Sequence, residues 1–194
     1  MIEKKNVIKY FDEWAGEWDE NQIIYPEVIE TILNNANMSA GQKVLDVACG
    51  TGVMIPYYLS RKAASVTGID ISPEMLKIAK DKYLDDTVRF FCMDAELDVP
   101  QGMYDIIVIY NAFPHFPNPE QLIKNLTTVL APGGTITVAH GMSQAKINEH
   151  HSGSARFVSE GLMDAEALAA LFSKYLNVTK IVSDEKMYQV LGVK

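Results

Sequence analysis

Cysteine is scarce in this chain: Cys49 and Cys92 are the only two thiols among 194 residues. Two are too few for a disulfide framework, and both fall in apolar strand-end stretches, so a reducing compartment is expected. Basic runs are also missing, and the formal net charge is -8. That excludes nonspecific nucleic-acid binding, which draws most of its free energy from Lys and Arg neutralising phosphates. Residues 1–20 carry a charge every few positions, so they offer neither the apolar centre of a signal peptide nor a membrane span. A cytoplasmic protein with no membrane partner is the expectation. There is no internal repeat and no low-complexity linker. With 48% hydrophobic residues, the length suits a single domain over 1–194.

What is present is an alternation of short apolar runs with helix-period segments, the pattern of a parallel sheet with crossover helices. The expected strands are 43–47, 65–71, 88–93, 105–110 and 135–140. Ser72-Pro73 and Asn118-Pro119 each read as a cap followed by a proline at the first helical position. The helix after Asn118 is expected to end at Ala131-Pro-Gly-Gly134, where proline stops it and glycine takes the left-handed turn. Asp164 opens an alanine- and leucine-rich helix to about 175. Candidate strands 178–182 and 187–191 follow, and their short connection predicts an antiparallel hairpin. The fold class is α/β, a doubly wound and mostly parallel sheet.

The segment Val44-Leu-Asp-Val-Ala-Cys-Gly-Thr-Gly-Val-Met54 joins a buried strand to a glycine turn and a helix start. Gly50 and Gly52 let the backbone approach a ligand closely. A dinucleotide fingerprint would need glycine at Ala48, Gly50 and Val53, and two of the three fail. An acid at Asp46, two places before the Ala48-Cys-Gly-Thr-Gly52 turn, resembles motif I of the class I, Rossmann-like, seven-stranded S-adenosylmethionine (AdoMet) methyltransferases. Their ligand carries a cationic amine and no pyrophosphate, which a carboxylate at Asp46 suits. Cys49 is read as packing in the turn, with a nucleophilic role as the alternative.

That resemblance runs on through the next strand ends, covering residues 44–134. Asp70 lies 24 residues beyond Asp46, at the distance of the acid that takes ribose hydroxyls in Rossmann-like sites. Ile71 and Met75 match the segment that lines adenine, against the alternative that both simply pack in the core. Asp94 and Ala95 match the pair that meets the adenine edge. Asn111, at the end of the nearly continuous apolar strand, would face ligand or cap its turn. With Ala48, Gly50 and Gly52 in the motif I turn, these residues form the implied cofactor site, with S-adenosylhomocysteine (AdoHcy) as product. The family sheet also accounts for the hairpin, its last strand inserting antiparallel beside the fifth.

On the acceptor side, His115 follows the fourth strand between Phe113 and Phe116, where a general base with an apolar wall would stand. The alternative is a structural histidine. Trp14 and Trp18 are expected on one helical face of an N-terminal lid, and Tyr25 would close the same pocket; the alternative is a helix packed on the domain edge. His140, at the end of the fifth strand, and His150-His151 could converge on the acceptor. They stay open between acid–base or polar substrate contact, a metal site and solvated surface, so a metal is unknown. The expected organisation is an N-terminal helical lid (1–40), an AdoMet-binding core (41–141), a substrate-side insertion (142–163) and a C-terminal helix and hairpin (164–194). The expected function is methyl transfer to a small-molecule acceptor, with oligomeric state undetermined. The alternatives are a noncatalytic AdoMet-binding or metal- or corrinoid-associated methyl-handling protein and, third, a nicotinamide oxidoreductase.

Overall fold

The computed structural model describes residues 2–151 and 157–194, the side chains of His150 and His151 lying outside the described residues. Seven strands form one sheet: β1 (Lys43–Val47), β2 (Ser65–Asp70), β3 (Val88–Cys92), β4 (Tyr104–Tyr110), β5 (Leu130–His140), β6 (Asn177–Ser183) and β7 (Tyr188–Val193). Their order is β3-β2-β1-β4-β5-β7-β6. The first five pair in parallel, and β7 inserts antiparallel between β5 and β6. The central place goes to β4, whose Ile106, Ile107, Val108 and Ile109 are all fully buried. An unbroken apolar run needs cover on both faces, and only an interior strand has it.

Strand alternation divides the core in two. Leu45, Val47, Ile107 and Ile109 pack on one face with Leu122, Ile123 and Leu126 of α6 (Pro119–Thr128) and Leu168 and Phe172 of α8 (Ala165–Phe172). Val44, Ile106 and Val108 pack on the other with Ile29, Ile32 and Leu33 of α3 (Pro26–Asn35) and Ile55 and Tyr58 of α4 (Ile55–Ser60). Helix α5 (Pro73–Lys82) begins as expected, since Ser72 Oγ accepts the N–H of Met75 at 3.2 Å.

Three expectations about the elements are corrected. Asn118 makes no side-chain cap; its own backbone N–H donates to Glu96 Oε1, a buried acid from the loop between β3 and β4. The helix already ends at Thr128, and residues 131–134 belong to β5, with Gly133 in the expected left-handed conformation at φ 75°. The β4–β5 register jumps from Tyr104↔Leu130 to Ile106↔Thr135, and the extra residues form a bulge whose Gly133 N–H and Gly134 carbonyl pair with Lys194. The N-terminal segment is not one helix: α1 (Lys4–Trp14) gives way to a 3₁₀ turn over Ala15–Glu17 before α2 (Trp18–Asn21). Gly16, in that turn, is a poor helix residue. The break takes Trp14 and Trp18 off a common face.

Candidate active site

A cavity lies over the carboxyl ends of β1, β2, β3 and β4, where open parallel sheets collect ligands. Its floor is the turn after β1. Ala48 and Gly50 both have left-handed backbone, φ 56° and 54°, and both line the cavity. An alanine pays for that conformation in steric strain, so the rest of the turn must hold it. Gly50 donates its N–H to Asp70 Oδ2 at 2.8 Å, and Ser72 donates its N–H to Asp70 Oδ1 at 2.8 Å. Burial nevertheless raises the Asp70 pKa, the backbone donors opposing it.

Two expected ligand contacts sit elsewhere. Gly52 does not line the cavity; a Cβ there would lie 2.5 Å from the Tyr83 ring, so glycine is needed for packing the turn against α5's end. Asp46 is 2% exposed and lies beneath the turn, outside the lining. Burial pushes its carboxyl up to about 8, Tyr58 offsetting this only in part and Asp70 adding to it. Asp46 Oδ2 has no hydrogen bond of normal geometry. Burial thus favours the neutral acid over the carboxylate that the resemblance implies. Cys49 is also buried, its thiol pushed well up, and it packs against Gly68, which fits a structural role.

Ile71, Met75, Asp94, Ala95 and Asn111 all line the cavity. Asn111 caps the turn as well: at φ 54° its Oδ1 accepts the Gly141 N–H at 2.9 Å. Asp94 is not alone. Lys4 donates to Asp94 and lies 2.6 Å from Glu96 Oε2, while the Glu96 N–H donates to Asp94 Oδ1 at 3.0 Å. Burial opposes the ammonium charge of Lys4, but its bonds to the two acids outweigh this and raise its pKa.

The acceptor end is aromatic. Phe11 stands edge-on between Trp18 and His115, with ring centroids 5.4 and 5.0 Å away. Phe116, Tyr110 and Gln22 complete this part of the wall. His115 Nδ1 is 2.8 Å from the Val158 carbonyl oxygen. A carbonyl only accepts, so Nδ1 carries a proton and donates this bond. Burial pushes the Tyr110 hydroxyl up to about 12, so it stays protonated, and the open face of Gly141 makes room for it.

The remaining expected contacts are corrected. Phe113 is buried in the α6-side core, not in the cavity wall, because the 3₁₀ turn over Phe113–His115 sends it inward. Trp14 is 44% exposed and stacks obliquely on Tyr10. Tyr25 packs with the α3-side core. His140 is 2% exposed and edge-on to Tyr188 across the β5–β7 pairing, so it does not meet His115 at an acceptor. The His150 and His151 side chains lie outside the described residues. Among the described residues, no group of three or more His, Cys, Asp or Glu could hold a metal ion, and no helix is long and apolar enough to cross a membrane.

Sequence reasoning missed Lys4, Phe11, Gln22, Glu96 and Tyr110. Glu96 and Tyr110 were within reach, standing two places after Asp94 and one before Asn111 at strand ends already singled out. Nothing in the sequence joins Lys4 to acids 90 and 92 positions away.

A protein-family model described as a methyltransferase domain matches residues 45–138, which contain the turn, Asp70, Asp94 and Asn111. The methyltransferase GfsG of Streptomyces halstedii is 30% identical over 135 residues, 64% of this chain and 49% of that protein. The ubiquinone biosynthesis O-methyltransferase of Coxiella burnetii is 29% identical over 144 residues, 70% of this chain and 61% of that protein. The chain thus spans about half to three-fifths of these relatives' length. Among solved structures, the partner of the Haloferax volcanii Trm112 methyltransferase activator superposes with a TM-score of 0.83 at 18% identity, covering 96% of both chains. The N-methyltransferase NodS of Bradyrhizobium japonicum, solved with AdoHcy, gives 0.77 at 16%, covering 97% and 98%. These two likenesses are likenesses of fold. With the seven-strand order and the glycine turn joined to Asp70, residues 45–138 are a methyltransferase domain on the class I, Rossmann-like fold of the S-adenosylmethionine-dependent methyltransferases.

Proposed function

We propose that this chain transfers a methyl group from AdoMet to a small-molecule acceptor in the cytoplasm, using the cavity over β1–β4. The observation that carries this reading is the hydrogen-bonded union of the Gly50 turn with Asp70 at the cavity floor. Asp70 accepts the Gly50 and Ser72 N–H groups and lines the cavity, where its carboxyl stands as the acceptor for ribose hydroxyls. Ile71 and Met75 supply apolar walls for adenine, and Asp94 and Ala95 supply an acceptor and a backbone N–H for its edge.

Bound AdoMet supplies a methyl group already activated on a sulfonium. The chain's own contribution is to position and to exclude water. Residues 4–22 are the lid: Lys4, Val7, Phe11, Trp18 and Gln22 form one wall of the cavity. Helix α3, with Ile29, Ile32 and Leu33 fully buried, belongs to the core instead. Phe11, Trp18 and Phe116 give the acceptor an apolar surface, and His115, in the same wall, is the base where the acceptor must lose a proton.

Calorimetry against AdoHcy and NAD, followed by mass spectrometry of a panel of phenols, amines and carboxylic acids incubated with AdoMet, tests the reading. AdoHcy binding without NAD binding, and a product heavier by one methylene, are expected. NAD binding in place of AdoHcy would overturn the cofactor assignment. AdoHcy binding with no methylated product across the panel would instead favour a noncatalytic binding protein.

A further inference from the structure

Residues 4–21 are attached to the domain differently from everything else that lines the cavity. The two main cores are contributed by the sheet with α3, α4, α6 and α8. The lid instead rests on a separate, small apolar cluster in which, among the described residues, Ile2, Val7 and Val158 are buried, with Tyr10, Phe11 and Ile71 packed against it. Ring contacts of Phe11 with His115 and of Tyr10 with Phe157 add to it, and polar ties reach the ends of β1, β2 and β3. Asp19 accepts from the Thr51 hydroxyl at 2.6 Å after β1, and from Lys82 at 2.7 Å on α5. Asp12 accepts from the Ser72 hydroxyl after β2. Lys4 holds Asp94 and Glu96 after β3. Elements with few buried apolar contacts open at lower free energy than the global fold. Such a lid can open while the sheet stays folded.

The Lys4 tie differs from the other two in its partner. Asp94 lines the cavity at the place assigned to the adenine edge, and Glu96 has a side chain only 2% exposed that also receives the Asn118 N–H at the start of α6. One ammonium therefore fastens the lid to the cofactor site and neutralises two acids set close together. Breaking this tie strands a buried carboxylate, so it opens reluctantly. The Asp94 carboxylate has lone pairs to spare for an adenine amine while it keeps Lys4. The tie can thus persist with the cofactor bound.

Building on the cofactor reading above, we propose that Lys4 is an electrostatic latch that sets the rate of cofactor exchange by holding the lid over the adenine end of the cavity. Lys4 is a positioning residue and takes no part in methyl transfer. Because a latch raises the barrier in both directions, its loss changes rates more than affinity.

The test uses the whole chain as Lys4→Met and Lys4→Arg. AdoHcy association and dissociation are followed by tryptophan fluorescence, and hydrogen exchange is measured without ligand. In Lys4→Met both rates rise about tenfold, the scale of one charge-assisted hydrogen bond. The α1 amides exchange faster in ligand-free Lys4→Met while those of β4 do not change. Lys4→Arg keeps the wild-type rates. Raising salt from about 0.05 to about 0.5 M speeds exchange more in the wild type than in Lys4→Met, which keeps only the Asp19–Lys82 ion pair. Unchanged rates together with unchanged α1 exchange in Lys4→Met overturn the latch. If that variant does not fold, salt-independent exchange in the wild type overturns it. If wild type binds no AdoHcy, the cofactor reading fails, and the α1 exchange of Lys4→Met still decides whether Lys4 holds the lid.

Discussion

Asp70 Oδ2 accepts the Gly50 N–H at 2.8 Å, so a side chain at the end of β2 holds the glycine turn that follows β1. The two halves of the cofactor site are joined before any ligand arrives, which lowers the ordering cost of binding. Asp70→Ala removes both the anchor of the turn and the acceptor for ribose hydroxyls. AdoHcy affinity should fall by about 1.5–3 kcal/mol by calorimetry. An unchanged affinity in a folded variant would take Asp70 out of the site.

His115 and His140 are expected to fail in different ways. His115→Ala removes the base but no cofactor contact, so kcat should drop about a hundredfold or more with AdoHcy affinity preserved and with no effect of chelators. His140 packs against Tyr188 inside the sheet, so His140→Ala should instead cost about 2 kcal/mol of stability in denaturant titrations. Loss of turnover in a stable His140→Ala would reverse the two roles.

The two tryptophans separate in the same manner. Trp18 lines the cavity and stands against Phe11, whereas Trp14 is 44% exposed on the outside of α1. Trp18→Ala should slow turnover, and Trp14→Ala should leave it near wild type. AdoHcy should also protect the amides of residues 4–21 from hydrogen exchange. Equal exchange with and without saturating AdoHcy would mean a permanently docked segment.

The pH dependence of stability should carry the mark of Asp46. Its folded pKa of about 8 lies above the ordinary carboxyl value, so between roughly pH 4 and pH 8 the folded state holds a proton that the unfolded chain has lost. Stability from this group is therefore full in acid and falls as pH rises through that window. Asp46→Asn, which cannot ionise, should gain stability relative to wild type from pH 5 to pH 8. Parallel stability curves for the two proteins would show that Asp46 ionises normally in the fold.

At Gly52 the expected defect is steric. A methyl group would meet the Tyr83 ring at 2.5 Å on a backbone with φ 90°. Gly52→Ala should cost about 2–4 kcal/mol by thermal or chemical denaturation. Recovery in Gly52→Ala/Tyr83→Ala of more than the single Tyr83→Ala cost would confirm the contact.

Local rules in the sequence determined the sheet and its glycine turn. The run Ile106-Ile-Val-Ile109 needs cover on both faces, which places it at the centre, and Ser72-Pro73 and Asp164 start helices by capping that depends only on neighbouring residues. The spacing of Asp70, Asp94 and Asn111 at strand ends follows from the same periodicity, because parallel strands carry every carboxyl end to one edge. Tertiary structure decided what side chains do once there. Asp46 sits at a strand end like Asp70, yet α4 and the turn cover it, and burial favours the neutral acid over the expected carboxylate. His140 matches the pattern of a functional strand end but is enclosed when β7 inserts beside β5. Trp14 and Trp18 have helical spacing until the turn at Gly16 parts them. Lys4 meets Asp94 only because the lid folds back across the sheet, a contact between distant residues that no local period encodes.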